Sequence, residues 1–304
     1  MKLSLAYSTC PNDTYIFEAI AEKKINLNGL DFDISMSDID VLNNNALTAD
    51  APDITKISAN AYAAGLWKDY VILNSGAALG HANGPVLVAK QQFALENLPL
   101  KTILIPGVNT TANLLLSIFF PNAKNKKTML FSEIEPNIIS EKYDCGLLIH
   151  EGRFTYQSRG LKKIVDFGEL WEQKTQMPIP LGFIVAKRSL SKDIIKQVDN
   201  LIMQSIEFAQ NNTAQAMPYI RTYAQEMEEQ VMLNHIALYV NNYTHHLGKK
   251  GCNAIEYFFK KAFDAGLLPQ MPQNCFSIRC ISPASWTLLW SLSCPSRRCA
   301  GDGR

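Results

Sequence analysis

His150 ends the apolar run Cys145-Gly-Leu-Leu-Ile, and Gly152 follows shortly after. That pattern places an imidazole at the carboxyl end of a strand, where α/β folds gather ligands, and histidine is the natural general base near neutral pH. A purely structural histidine fits the same pattern, and Glu151 beside it is either a second acid or a solvated side chain. A second candidate lies in TILIPGVNTTANLLL, where a strand runs into Gly107 and Asn109, Thr110 and Thr111 sit at a helix start. Unpaired backbone N–H groups and the positive end of the helix dipole would face one spot there, fit to hold a carboxylate. Plain N-capping by Asn and Thr accounts for the same residues. Lys56 and Ser58 end another strand and can grip an acidic ligand, although a lysine there can also snorkel to solvent. Cys10 precedes a helix, a position that favours its thiolate, yet no His-Asp pairing stands at a diagnostic spacing, so a buried thiol is the default. His245 and His246 sit in a polar loop and read as solvated, and His81 lies in GHANGP, a turn suited to a hinge or a cleft rim.

These residues need elements to position them. KLSLAYS reads as a strand, and a helix begins near Asn12 or Asp13 with Ile16, Phe17 and Ile20 on one face. Asp38 can cap a second helix, residues 53–57 form a strand running into the small-residue helix SANAYAAGL, and residues 70–74 form another strand. Ser8 to Asp13 and Lys56 to Asn60 thus become polar strand-to-helix turns like the one at Thr110. GPVLVAK (84–90) and PLGFIVAKRSL (180–190) look alike, and between them lies a block with its own strands TILIPG, TMLFS and CGLLIH. Two similar strands bracketing an inserted α/β block predict two lobes with a cleft between them. After Ser191 the pattern is helical, with helices expected over 191–206, 226–239 and 250–265. The last of these turns Ile255, Phe258, Phe259, Ala262 and Phe263 inward and stops at Gly266 and Pro269.

The balance of 29 basic against 28 acidic residues gives +1, so no global field gathers nucleic acid or anionic lipid, and any acidic ligand is held locally. The start of the chain lacks the unbroken apolar stretch of a secretory signal, and no segment reaches the roughly 18 to 20 apolar residues of a membrane span. A cytoplasmic place is therefore expected, with no membrane insertion. The sequence holds no GxxxxGK[ST], no GxGxxG after a strand, no HExxH and no GxSxG. Four of the seven cysteines crowd into residues 274–304, where two C-x4-C pairs lack the tight knuckles of zinc modules, so no metal site is expected. That segment has no helical or strand period, follows a completed helix, and reads as a shifted reading frame or an extension outside the fold.

Taken in order, YSTCPNDTYIF, DITKISANAYA, SGAALGHANGPVLVAK, IPGVNTTANLLL, CGLLIHEGRFTYQSRGL and PIPLGFIVAKRSL resemble the 1,4-dihydroxy-6-naphthoate synthase family of the futalosine route to menaquinone, over residues 1–272. The resemblance implies an α/β, two-lobed type II periplasmic-binding-protein-like fold, each lobe a mixed sheet flanked by helices with the ligand cleft between. The expected division is 1–88 with 186–273 for one lobe and 89–185 for the other. It further implies a carbon-carbon lyase cleaving cyclic dehypoxanthinyl futalosine, a small carboxylate, without a cofactor. His150 corresponds to the family's proton acceptor, and Lys56, Ile57 and Ser58 with Thr111 and Ala112 to its substrate-binding stretches; Ser8, Cys10, Asn12 and Thr110 are further contact candidates. The rival readings are a non-catalytic carboxylate-binding protein and the related chorismate dehydratase, and the HEGRFTYQ stretch favours the synthase.

Overall fold

The computed structural model of the chain describes residues 1–224 and 228–277. It opens with β1 (Lys2–Tyr7), α1 (Pro11–Ala21), β2 (Asp31–Met36), α2 (Ile39–Asn45), β3 (Ile54–Ser58) and α3 (Ala59–Ala64). The strands β4 (Tyr70–Ile72) and β5 (Ala78–Gly80) follow. A middle block holds β6 (Val86–Ala89), β7 (Ile103–Ile105), α4 (Thr111–Phe119), β8 (Lys126–Thr128), α5 (Phe131–Ile139) and β9 (Cys145–Leu148). It ends with α6 (Gly152–Thr155), β10 (Lys162–Asp166) and α7 (Phe167–Thr175). The long strand β11 (Ile179–Lys187) then leads to α8 (Lys192–Asn211), α9 (Thr213–Tyr223), α10 (Glu229–Tyr239), α11 (Asn242–His245) and α12 (Gly248–Asp264).

Two mixed sheets result. The first runs β2-β1-β3-β11-β4, with β5 also pairing β11; β1 is parallel to β2 and β3, while β11 is antiparallel to β3, β4 and β5. The second runs β10-β6-β9-β7-β8, with β6 antiparallel to both neighbours and β7 parallel to β8 and β9. Period-2 alternation in β1 sends Leu3, Leu5 and Tyr7 into one apolar cluster with Ile16, Phe17 and Ile20 of α1 and Val198, Leu201, Ile202 and Ile206 of α8. Tyr7 stacks on Phe17 with ring centroids 4.4 Å apart. These contacts fix the start of α1, and with it Cys10 to Asp13, against the sheet.

The two look-alike strands fall in different sheets, β6 in the second and β11 in the first. The chain therefore changes sheet between Gly80 and Val86 and again between Asp166 and Ile179, not at 88 and 185, which lie inside strands. Crossing in mid-strand would sacrifice ladder hydrogen bonds, whereas the turns carrying Gly84-Pro85 and Pro178 have none to lose. TMLFS is mostly not a strand: the edge strand β8 is the polar Lys-Lys-Thr before it, largely exposed, and the apolar residues lead into α5. In α12 Ile255, Phe258, Phe259 and Ala262 are buried as the spacing predicts, but Phe263 lies one step further round the helix and is exposed.

The segment after Gln273 does not leave the fold at once. Cys275 is buried, its carbonyl accepts hydrogen bonds from Ile72 N–H at 2.7 Å and Tyr62 Oη at 2.9 Å, and Phe276 bridges Ile72 in parallel. Residues 274–277 thus dock on the edge of β4, while the zinc question at Cys280, Cys294 and Cys299 lies outside the described residues. Among the described residues no helix is long and apolar enough to cross a membrane.

Candidate active site

The carboxyl ends of β1, β3, β7 and β9 and the starts of α1, α3 and α4 converge on one cavity between the sheets. Ser8, Asn12, Lys56, Ser58, Thr110, Thr111, Ala112 and His150 all line it, so most of the sequence candidates meet in one place. Ile57 does not: it is fully buried in the apolar core, because a strand sends alternate side chains to opposite faces and Lys56 and Ser58 take the cavity side. Cys10 is not a lining residue either, but its Sγ lies 3.0 Å from His150 Nδ1. His81 pairs with Glu172 at 2.9 Å and His245 with Glu207 at 3.0 Å, and neither lines the cavity.

A buried ion pair forms the floor. Lys56 Nζ donates to Asp13 Oδ1 at 2.7 Å, and Asp13 also accepts from Ser8 Oγ at 2.6 Å and Asn12 Nδ2 at 2.7 Å. Sequence reasoning treated Asp13 only as a helix cap; the cap position belongs to Cys10, with Pro11 opening α1. The signal that would have found it is a buried lysine, which demands a carboxylate.

Hydrogen bonds between the sheets form the near wall. Ser58 Oγ donates to Asn109 C=O at 2.7 Å and accepts from Asn43 Nδ2 at 3.0 Å. Thr111 Oγ1 donates to Leu181 C=O at 2.7 Å, and Thr110 Oγ1 caps α4 by accepting from Asn113 N–H while donating to Gly107 C=O. These hydroxyls are all committed within the protein. The backbone N–H groups of Thr111 and Ala112, at the first two positions of α4, have no intrahelical acceptor by geometry.

His150 follows β9 with φ at +55°, a left-handed backbone that histidine adopts more readily than most residues and that turns its ring into the cavity. Burial lowers its pKa to about 4; Asp13 opposes the shift and Lys56 adds to it. The ring is therefore neutral at pH 7. Cys10 is the buried thiol taken as the default, not the thiolate that a helix start alone would favour: burial, together with the negative charges of Glu151 and Asp13, raises the thiol well above its ordinary range. A protonated thiol can donate to Nδ1 or accept from Nδ1–H, and only the second arrangement leaves Nε2 free to take a proton. Cys10, His150 and Glu151 also offer donor atoms within 4.8 Å of one another, the one such group among the described residues. Within that group the Cys10 thiol and the His150 imidazole are hydrogen-bonded to each other.

The far wall was not anticipated. His235 of α10 lines the cavity almost completely buried, its ring 6.4 Å from that of His150 and inclined at 24°. Burial, His150 and Lys56 together lower its pKa well below the ordinary value, so it too is neutral. Asn83, on the first crossover, and Tyr239 also line the cavity. Neither His235 nor Asn83 is singled out in the sequence: His235 sits among apolar helix residues, and the GHANGP turn that holds Asn83 reads as a hinge or cleft rim with attention on His81.

A family model described as menaquinone biosynthesis matches residues 3–264. A Thermus thermophilus protein named 1,4-dihydroxy-6-naphthoate synthase is 36% identical over 275 residues, covering 90% of this chain and 98% of its own length. A Streptomyces coelicolor protein of the same name is 36% identical over 274 residues, covering 88% and 95%. A crystal structure of an Archaeoglobus fulgidus protein superposes with a TM-score of 0.83 at 33% identity, over 88% of this chain and 98% of that one. The periplasmic aliphatic sulphonate binding protein SsuA of Escherichia coli matches over 100% of this chain and 98% of its own with a TM-score of 0.64 at 9% identity, which shows the periplasmic-binding-protein-like fold alone.

Proposed function

The chain belongs to the menaquinone biosynthesis family and is an enzyme of that route, and on that premise we propose that it is a 1,4-dihydroxy-6-naphthoate synthase, a carbon-carbon lyase that splits cyclic dehypoxanthinyl futalosine into 1,4-dihydroxy-6-naphthoate and dihydroxyacetone. The observation that carries the reading is the juxtaposition, in one cavity between two sheets, of a neutral histidine with an unsatisfied helix N-terminus. The N–H groups of Thr111 and Ala112 hold the substrate carboxylate. Lys56 is already paired with Asp13, so it sets the local field more than it binds.

His150 takes a proton from the substrate as the carbon-carbon bond opens, and aromatisation of the naphthalene ring drives the step. The sugar-derived fragment leaves at the oxidation level of a dihydroxy ketone, so no oxidant or reductant enters the balance. An imidazole with a pKa of about 4 gives its proton back readily, which suits a reaction that returns the proton to its products. A bound carboxylate adds negative charge nearby and raises that pKa toward the working pH, strengthening the base when substrate is present. Closure of the sheets around the ligand would exclude water. A cytoplasmic place accords with this reading.

The test is turnover. The purified chain incubated with cyclic dehypoxanthinyl futalosine is expected to release the naphthoate, and His150→Ala is expected to lower kcat by about 10² to 10⁴ while still binding substrate. Tight binding by the parent without product would instead make it a carboxylate-binding protein, and dehydration of chorismate would assign it to the related dehydratase.

A further inference from the structure

Asn83 is completely buried, lines the cavity, and has no hydrogen-bond partner for either its Nδ2 or its Oδ1 among the described residues. His235, 1% exposed, lines the same cavity with neither ring nitrogen partnered. Burying a polar group without a partner is costly, so two such side chains in one cavity mark a place where a ligand completes the hydrogen bonds.

The position is built, not incidental. Arg153 donates from Nη1 to Gly84 C=O and from Nη2 to Ala82 C=O, each at 2.6 Å, gripping the backbone on both sides of Asn83. The same guanidinium pairs with Asp166, which caps α7. Gly80 leaves room for the carboxamide, since a Cβ there would lie 2.7 Å from Asn83 Nδ2. Gly84 lies so close to Gly168 that a Cβ on it would meet the Gly168 nitrogen at 2.4 Å, which pins the crossover to the start of α7.

We infer that Asn83 and His235 form a hydroxyl-binding subsite that holds the polyol, sugar-derived portion of the substrate, opposite in chemistry to the carboxylate site at the start of α4. A carboxamide and a neutral imidazole each present one donating and one accepting side. A carboxylate accepts only and would leave the Asn83 oxygen and the bare imidazole nitrogen facing like charge. A hydroxyl both donates and accepts, and adjacent hydroxyls match the pair. The inference rests on the proposed lyase reading for the identity of the polyol, but the hydroxyl preference of the subsite stands on its geometry.

The experiment uses Asn83→Ala, His235→Ala and His235→Gln in the full chain. It measures kcat and KM for cyclic dehypoxanthinyl futalosine, its Kd by calorimetry, the Kd of 1,4-dihydroxy-6-naphthoate, and the melting temperature. Each alanine variant is expected to weaken the futalosine compound about 10-fold, the value of roughly one lost hydrogen bond, while the naphthoate, which lacks the polyol, binds within about twofold of the parent. His235→Gln, which keeps a donor and an acceptor, is expected to recover most of the loss. Asn83→Ala is expected to melt no lower than the parent, because it removes two unsatisfied polar atoms. Equal weakening of both ligands, or none of either, would overturn the subsite. A parent that binds the futalosine compound without turning it over, with the selective loss intact, would overturn the lyase reading and keep the subsite.

Discussion

Lys56, Ser58, Thr110 and Thr111 on one side of the cavity all have hydrogen-bond partners in the protein, whereas the side-chain polar atoms of Asn83 and His235 on the other side have none among the described residues. The first group are the polar residues of strand-to-helix turns, and two of their hydrogen bonds run from sheet to sheet, Ser58 to Asn109 and Thr111 to Leu181. They hold the shape of the cavity and leave backbone N–H groups to meet the ligand. The second group hold no shape and keep their hydrogen-bonding capacity open. Side chains that look like binders in the sequence are thus bonded within the protein, and two that the sequence did not single out keep their polar atoms unpaired among the described residues.

The sharpest way to break this comparison is to remove a member of the paired side. Lys56→Met leaves Asp13 as a buried carboxylate supported only by Ser8 and Asn12, and breaking a buried pair in this way is expected to cost about 3–5 kcal/mol of stability. Urea unfolding measures it. The double variant Lys56→Met with Asp13→Asn, which leaves no orphan charge, is expected to regain most of the loss. Should Lys56→Met unfold at the parent's midpoint, the pair is not the structural floor of the site and Lys56 is free to be a direct carboxylate anchor.

The contrast between the two sides also explains what was readable in advance. The turns at Ser8–Asp13, Lys56–Ser58 and Thr110–Ala112 announce themselves because a polar residue between an apolar strand and an apolar helix stands out, and His150 stands out at the end of its strand. Ile57 was grouped with its neighbours by sequence contiguity, and the pleat of β3 separated it from them. For Cys10 the helix start favoured a thiolate and the lack of a diagnostic pairing favoured a buried thiol, and burial together with two nearby carboxylates decides for the second. His235 is brought to the cavity by the packing of α10 on α1 and β5, contacts between segments more than 150 residues apart that no local pattern encodes. The division into two sheets was legible from the repeated Val-Ala-Lys strands, but its boundaries depended on which strand pairs with which.

A middle-sized effect should appear in the pH dependence of stability, which sets the paired His150 beside the unpaired His235. His150 has a folded pKa of about 4 and His235 a value well below the ordinary one, whereas in the unfolded chain both titrate near 6.5. As pH falls from about 6.5 toward 4, the unfolded chain takes up protons that the folded chain refuses, so these groups' contribution to stability is lost on acidification. Asp199 works the other way: burial raises its folded pKa to about 6, so its contribution grows as pH falls. Comparing the parent with His235→Gln isolates the histidine. Between pH 7 and pH 4.5 the parent is expected to lose more stability than the variant, read by urea unfolding at each pH. Identical losses would mean that His235 is protonated in the folded state, and therefore hydrogen-bonded or ion-paired instead of open.

The smallest effect tests the residue that belongs to neither side. Cys10 is bonded to the protein, as the floor residues are, but its partner is His150, the proposed proton acceptor. If its sulfur accepts from Nδ1–H, it holds His150 in the tautomer whose Nε2 can take the substrate proton, and it acts through the ring without touching substrate. Serine at this position still offers an acceptor to Nδ1, so Cys10→Ser is expected to keep kcat within about threefold of the parent, whereas Cys10→Ala loses the acceptor and is expected to lower kcat about 10-fold. KM should stay put in both, because neither side chain lines the cavity. A merely structural thiol would predict the reverse ranking, since alanine fits a buried apolar site better than a hydroxyl does. A kcat ordering of parent, serine, alanine therefore assigns Cys10 to the working side of the cavity, and an ordering of parent, alanine, serine returns it to the scaffold.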